Sequence, residues 1–332
     1  MARFYTQGSI VTTMKKSALL LCAVLLLGVA AANGEDAKIK GYMFGDYYAV
    51  LAADEAEGKL PEKRNAFQFR RIYLSYEKSL TEDFSVRYRL EAKDAGFGNG
   101  TKMQPFVKHG YLKWKDALGS TDLYIGLSGT PTWAIAEKVW GYRSIAKTVL
   151  DWNTIGSSAD LGAAFKGKSG KIGYHVMVGN GPGQGPEDDH GKKLYGSFSF
   201  RASERLVLEV YGDFNMKPAD QNELTLKAFA GLQGEGLNAG VEVFSHTNKE
   251  AAADSDVTIS GVSAFASLPL SESLKGFGRV DAVSTDATDL LLIAGVDHMP
   301  AKGVHLMPNL VVALPDGLDP NIQGRLTFYY KF

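Results

Sequence analysis

Residues of two opposite characters alternate along most of this chain, and no feature constrains its fold more. In "FSVRYRLEA" (84–92) the even positions are Phe84, Val86, Tyr88, Leu90 and Ala92, and the odd ones are Ser85, Arg87, Arg89 and Glu91. A period of two places these sets on opposite faces of a strand. The same texture recurs in "LVLEVYGDF" (206–214), "LTLKAFAGL" (224–232) and "GRLTFYYKF" (324–332). About sixteen such runs can be read, starting near 38, 67, 84, 105, 122, 159, 170, 193, 205, 223, 237, 257, 275, 289, 304 and 322. Short connections such as "KSLTED", "KGKSGK" and "RASER" alternate with long ones such as "GNGPGQGPEDDHGKK", although the contrast fades after residue 217.

An even number of antiparallel strands, short turns at one end and longer loops at the other, predicts an all-β, transmembrane antiparallel β-barrel. A secreted sandwich or a propeller also alternates. A sandwich of this length would show fewer strands and faces with less charge, and a propeller would show a repeat of roughly 40–50 residues, which is missing here. The 37 glycines and 32 Tyr and Phe residues suit the barrel.

The N-terminus reads as an export signal. Lys15 and Lys16 precede an apolar run from Ala18 to Val29 and then Ala30-Ala31-Ala32, with Met14 the expected start. Residues 1–32 are therefore expected to be a cleaved signal peptide and 33–332 the barrel domain, with cleavage after Gly34 as the other choice. Cys22, the only cysteine, falls in the signal and lacks the small residue before it that lipidation needs. Removing residues 1–32 takes Arg3, Lys15 and Lys16 and no acids, which leaves 33 basic residues against 37 acidic ones, a net charge of −4. That balance excludes a generally basic nucleic-acid binder.

The last strand presents Leu326, Phe328, Tyr330 and Phe332 on one face and Arg325, Thr327, Tyr329 and Lys331 on the other. The first face is expected to meet outer-membrane lipid. Tyr330 and Phe332 resemble the terminal signal read by the barrel-assembly machinery.

Sixteen strands enclose a water-filled lumen, so function is expected to lie in whatever narrows it. Residues 129–158 form the longest connection and hold three of the four tryptophans, Trp133, Trp140 and Trp152. So many aromatics are costly in water, so the loop is expected to fold inward as a constriction rather than outward against a neighbouring subunit. Thr130 and Ser144 are expected to cap helices there, with Gly141 as a stop. The loop's cations are Lys138, Arg143 and Lys147, opposed by Glu137 and Asp151.

The early strands carry Arg71, Arg87, Arg89, Lys93, Lys113 and Lys115 on their expected lumen faces. Arg71 faces the lumen if Ile72, Leu74 and Tyr76 face lipid, yet Phe67 and Phe69 at the start of the strand are on the other parity from those three, which requires a bulge or a mixed face near Arg70. Acids follow later, at Glu209, Asp213, Glu242, and Asp281 beside Arg279. A cationic wall facing an anionic one implies a transverse field and a weak anion preference; a dedicated anion site is the sharper expectation.

"RNAFQFRRIYLSYEKSLTEDFSVRYRLEA" (64–92) resembles the second hairpin of the porin O and P family, the phosphate-selective porins. Phe69-Arg70-Arg71, Asp83-Phe84 and Arg87–Glu91 carry the resemblance, and "GNGPG" (179–183) adds to it. It implies a sixteen-stranded channel, commonly a homotrimer, that passes small anionic or neutral solutes. The family's phosphate selectivity rests on dense cationic clusters in the constriction, which this loop's mixed charges do not match.

No cofactor motif is present. "GNGPGQG" lacks the Lys-Ser/Thr of a phosphate loop, and the six histidines show no metal-ligand spacing. "EDDH" (187–190) reads as a solvated loop rather than a metal site. An enzyme is not expected: an outer-membrane lipase needs a Ser and a His together on the lipid-facing rim, while His109 and His246 fall on lumen faces. A non-conducting barrel serving as adhesin or scaffold would carry an apolar plug instead of charged lumen faces.

Overall fold

In the computed structural model, residues 37–53, 63–94, 102–250 and 255–332 are described, so the signal-peptide expectation lies outside the described residues. The strands are β1 (Ala37–Ala52), β2 (Asn65–Ser79), β3 (Phe84–Lys93), β4 (Gln104–Leu118), β5 (Thr121–Gly129), β6 (Ala159–Ser169), β7 (Ile172–Gly179) and β8 (Lys193–Arg201). They continue as β9 (Leu206–Asn215), β10 (Glu223–Leu232), β11 (Asn238–Glu250), β12 (Ser255–Pro269), β13 (Leu274–Ser284), β14 (Thr288–Ala301), β15 (Val304–Leu314) and β16 (Asn321–Lys331). Each pairs antiparallel with its sequence neighbours, and β16 pairs with β1 to close the barrel. Two short helices, α1 (Ala134–Trp140) and α2 (Val149–Trp152), lie in the connection between β5 and β6.

Closure explains the alternation. The outer face carries bare apolar side chains, among them Phe67, Phe69, Leu74, Ile125, Phe198, Val210 and Leu226. A soluble protein rarely leaves so continuous an apolar surface uncovered, whereas a bilayer matches it. Seven connections of two to five residues close one end, from 119–120 to 233–237. The other end carries the long segments 130–158 and 180–192 but also a three-residue link at 285–287. That link, with the seven- and six-residue segments 216–222 and 315–320, is why the length contrast fades along the sequence.

Among the register shifts of the wall, two bulges each turn a cation inward. Phe44 pairs with Arg71 but Gly45 pairs with Phe69, so Arg70 is the extra residue, where the sequence required a bulge. Arg89 pairs with His109 but Leu90 pairs with Val107, which makes Lys108 the extra residue on β4. Strict alternation would point Lys108 at lipid, at a cost of about 2–4 kcal/mol near the midplane. The bulge turns it inward, where its ammonium lies 3.1 Å from Glu91.

The seam between β1 and β16 is closed by aromatic rings lying over glycines. The Phe332 N–H donates to the Gly41 carbonyl at 2.9 Å, and the Gly41 N–H donates back at 3.1 Å. The Phe332 ring covers Gly41 so closely that a Cβ there would lie 2.3 Å from it, and Phe328 covers Gly45 in the same way. Deleting Phe332 removes both hydrogen bonds, about 2 kcal/mol together, and an interfacial ring. The expected result is a several-fold lower yield of barrel with heat-modifiable gel mobility, with normal conductance in the molecules that fold. Unchanged yield would show that the last residue plays no part in closing the seam.

Candidate functional site

The connection 130–158 folds into the lumen, as its tryptophans predict. Trp133 and Trp140 are buried, at 5% and 1% exposure. Ala136, Val139, Trp140, Tyr142 and Ile145 pack on an apolar patch of the inner wall made by Phe229, Phe265, Phe277, Leu291, Ile293, Met307 and Val311. Tyr142 stacks on Phe277 with centroids 4.4 Å apart, and the Trp140 indole N–H donates to the Ala146 carbonyl at 3.1 Å. The loop's packing partners thus come from the β10–β15 side of the wall.

Polar anchors fix the rest of the loop. Lys227 donates to the Thr132 carbonyl at 2.7 Å, and Arg279 donates to the carbonyl of Lys147. Arg70 reaches the loop tip, donating to the Ser144 carbonyl and to that of Ile145 at 3.0 Å, while its guanidinium pairs with Asp46 at 2.6 Å. Gly141 ends α1 in the left-handed region at φ 72°, as expected. Thr130 and Ser144 do not cap helices. Thr130 instead binds the Ser157 carbonyl and the Thr132 hydroxyl, tying the two roots of the loop together, and α2 starts after Thr148.

Opposite the loop stands a wall of cations and tyrosines from β1–β6. Arg71 and Lys108 share Glu91, Arg87 pairs with Glu77, and Lys113 lies 2.7 Å from Asp122. Arg89 and Lys166 have no carboxylate within ion-pair distance among the described residues. Arg89 is held by Ser75 at 2.7 Å and lies over the stacked Tyr42–Tyr73 pair, while Lys166 sits 4.4 Å from the Tyr124 ring centre. These six cations against three carboxylates leave three positive charges along the gap, and Lys40, exposed at the short-turn rim, shares Glu77 at 2.9 Å and adds a further cation there.

Two of the loop's three cations are paired within it, and Lys138 leaves the loop with one positive charge in excess. Arg143 bridges Glu137 at 3.1 Å and Asp151 at 3.4 Å, and Lys147 pairs with Asp151 at 2.8 Å. Burial pushes the Glu137 carboxyl above the ordinary carboxylate range, while Arg143, Lys108 and Arg71 pull it down. Its interaction with Lys108 and Arg71 spans the gap between loop and wall. Arg87, Glu77, Lys113, Asp122, Arg143, Glu137 and Lys147 keep side-chain exposures between 22% and 34%, so water reaches both sides of the gap.

Lys93 and Lys115 lie elsewhere. Lys93 is exposed at the long-loop rim, and Lys115 is exposed at the short-turn rim, 3.8 Å from Asp116. Lys138 lines a 480 Å³ cavity with Tyr42, Tyr329 and Lys331. Tyr330 and Phe332 are on the outer face, at 41% and 71% exposure.

The expected anionic wall is absent from the gap. Glu209, Asp213, Glu242 and Asp281 do point inward, yet all are at most 3% exposed. Glu209 pairs with Lys227 and Asp213 with Lys193, both at 3.0 Å, and Asp281 pairs with Arg279. Strand parity shows which face a residue is on but not that a loop roofs it. Lys108 and Lys166 were missed by the sequence reading. A charged residue on lipid-facing parity was the signal for Lys108; Lys166 needed only the inward parity of β6 to be followed. At the exposed segment 180–192, Glu187, Asp188 and Asp189 bring carboxylate oxygens within 4.8 Å of one another, with Lys192 engaging Glu187 at 3.0 Å.

The fold is that of outer-membrane porins. The chain is similar to the outer membrane channel DcaP of Acinetobacter baumannii, at TM-score 0.68 and 12% identity over 90% of this chain and 97% of that one. It is similar to an anion-selective porin from Comamonas acidovorans, at TM-score 0.63 and 11% identity over 89% and 99%. It is also similar to the trimer form of OmpT, an outer membrane protein of Vibrio cholerae, at TM-score 0.63 and 11% identity over 89% and 99%. No protein-family model and no curated protein matches the chain.

Proposed function

We propose that this chain is an outer-membrane porin, a non-enzymatic channel through which small solutes diffuse, with a modest preference for anions. The observation that carries this is the water-reached gap between an inward loop with one cation in excess and a wall with three unbalanced cations. Positive rings in a water-filled constriction favour anions, by an amount that salt screening limits. The apolar outer face and the likeness to outer-membrane proteins support that membrane as its location.

Phosphate is one solute such a field would favour. A dedicated phosphate site would need several free cations converging, whereas Arg143 and Lys147 are already paired on the loop. A general anion preference fits the charges better. The trimer form of the similar OmpT barrel supports a homotrimer. The charged, water-reached gap disfavours an adhesin or scaffold with a plugged lumen.

Purified protein in a planar bilayer tests the proposal. The expected result is stepwise conductance, with a zero-current potential of anion-selective sign in a KCl gradient at low salt. Silent insertion would sink the channel, and a cation-selective sign would sink the preference alone.

A further inference from the structure

Of the loop's three tryptophans, Trp152 alone is left bare, at 39% exposure. It borders a 410 Å³ cavity that runs from the end of α2 to the inner wall of β13–β16 and β1. That volume is within the range of small-molecule pockets, about 300–1,000 Å³. Much of the wall is aliphatic, including Val50, Leu291 and Val311.

Arg325 also borders this cavity. Its guanidinium donates twice to the Gln323 side-chain oxygen, at 3.2 and 2.8 Å, which fixes its plane. No carboxylate lies within ion-pair distance of it among the described residues. The acid whose charge acts on it, Asp46, is taken by Arg70 at 2.6 Å and by the Thr327 hydroxyl.

The cavity's own acids do not neutralise Arg325 either. Asp281 is engaged by Arg279 through both oxygens. Asp289 accepts the Asp316 N–H at 2.9 Å. Leu291, Ala313 and Asn321 stand level across β14–β16, with Asp289 two residues above that level and Arg325 four below it. At about 3.3 Å per residue the two charges are roughly 20 Å apart along the strands. The cavity is therefore negative at one end and positive at the other.

We propose that this cavity is a binding station for small organic carboxylates with an apolar, ring-sized body. The carboxylate meets the oriented fork of Arg325, and the body lies on Trp152 and the aliphatic wall. An inorganic anion would leave the apolar wall unfilled, and a polyhydroxylated solute would strand hydroxyls against it. The station rests on the porin reading only for its place on a transport route.

Benzoate and acetate are the probes, titrated calorimetrically into folded, detergent-solubilised barrel with empty micelles as blank, and added to the same protein in a planar bilayer. Benzoate is expected to bind at one site and to reduce KCl conductance, while acetate does neither. Arg325→Gln should weaken benzoate by about tenfold or more, the scale of removing one charge-assisted hydrogen bond, and Trp152→Ala by about tenfold, the scale of losing one aromatic ring contact. Arg201→Gln, at the short-turn end, should leave it unchanged, and heat-modifiable mobility confirms that each variant folds. Benzoate binding without conductance would keep the station and sink the channel. Conductance with no benzoate heat, or equal heats from the two folded variants and wild type, overturns the station.

Discussion

Replacing Trp140 with Ala is expected to leave the barrel standing and release its constriction. Trp140 is 1% exposed at the centre of the largest buried cluster, against Phe265 at 5.2 Å and Tyr142 at 5.4 Å between ring centroids. Truncating such a residue costs about 3–5 kcal/mol. The strands do not bear that cost, because their ladder bonds run from neighbour to neighbour around the closed wall. The loop does. Its helix α1 has seven residues, too few to persist without packing. The remaining anchors, Lys227 on Thr132, Arg70 on the tip and Arg279 on the Lys147 carbonyl, hold the backbone before and after α1 but do not replace the packing of α1 itself. Heat-modifiable mobility should be retained, while single-channel recordings show a larger and noisier conductance. Phe67→Ala, on the lipid face, is the control and should do neither. A steady wild-type conductance in the Trp140 variant would mean the loop is not the narrowest point.

The strands were legible for a physical reason. Lipid on one side and water on the other enforce the same period twice, so alternation placed β3, β6, β8, β10 and β15 at their starts and erred by two residues at β2, β7 and β12. The loop's inward fold was legible because three tryptophans in one connection demand a partner. What escaped depends on contacts between distant segments. The acids Glu209 and Asp213 were on the right face, yet whether they meet water depends on where residues 130–158 lie. Thr130 and Ser144 have the chemistry of helix caps, but tertiary contacts at the loop root and tip use their groups instead. Arg325 was placed on the lumen face, but its lack of an acid partner follows from Arg70 occupying Asp46 across the seam.

Charge reversal at the two unpaired wall cations is expected to invert the channel's preference. Arg89 and Lys166 supply two of the three charges that the carboxylates leave unbalanced, the third coming from Arg71 and Lys108 sharing Glu91, while Arg87 is paired with Glu77. Arg89→Glu with Lys166→Glu changes the wall by four units and takes three positive charges to one negative. A unit charge in water about 8 Å from a permeating ion is worth about 0.5 kcal/mol, so four units give about 2 kcal/mol before screening. That is enough to turn a modest anion preference into a cation preference. At 0.1 M salt, where the screening length is about 10 Å, the zero-current potential should change sign. At 1 M, where it is about 3 Å, the two proteins should converge. Arg87→Gln combined with Glu77→Gln removes a neutral pair and should move the potential little. The double Gln variant at Arg89 and Lys166 guards against misfolding, since it buries no new charge and should shift the potential in the same direction by about half. If the folded double Glu variant keeps the wild-type sign at low salt, ions do not pass along this wall, and the gap between β1–β6 and the loop is not the permeation path.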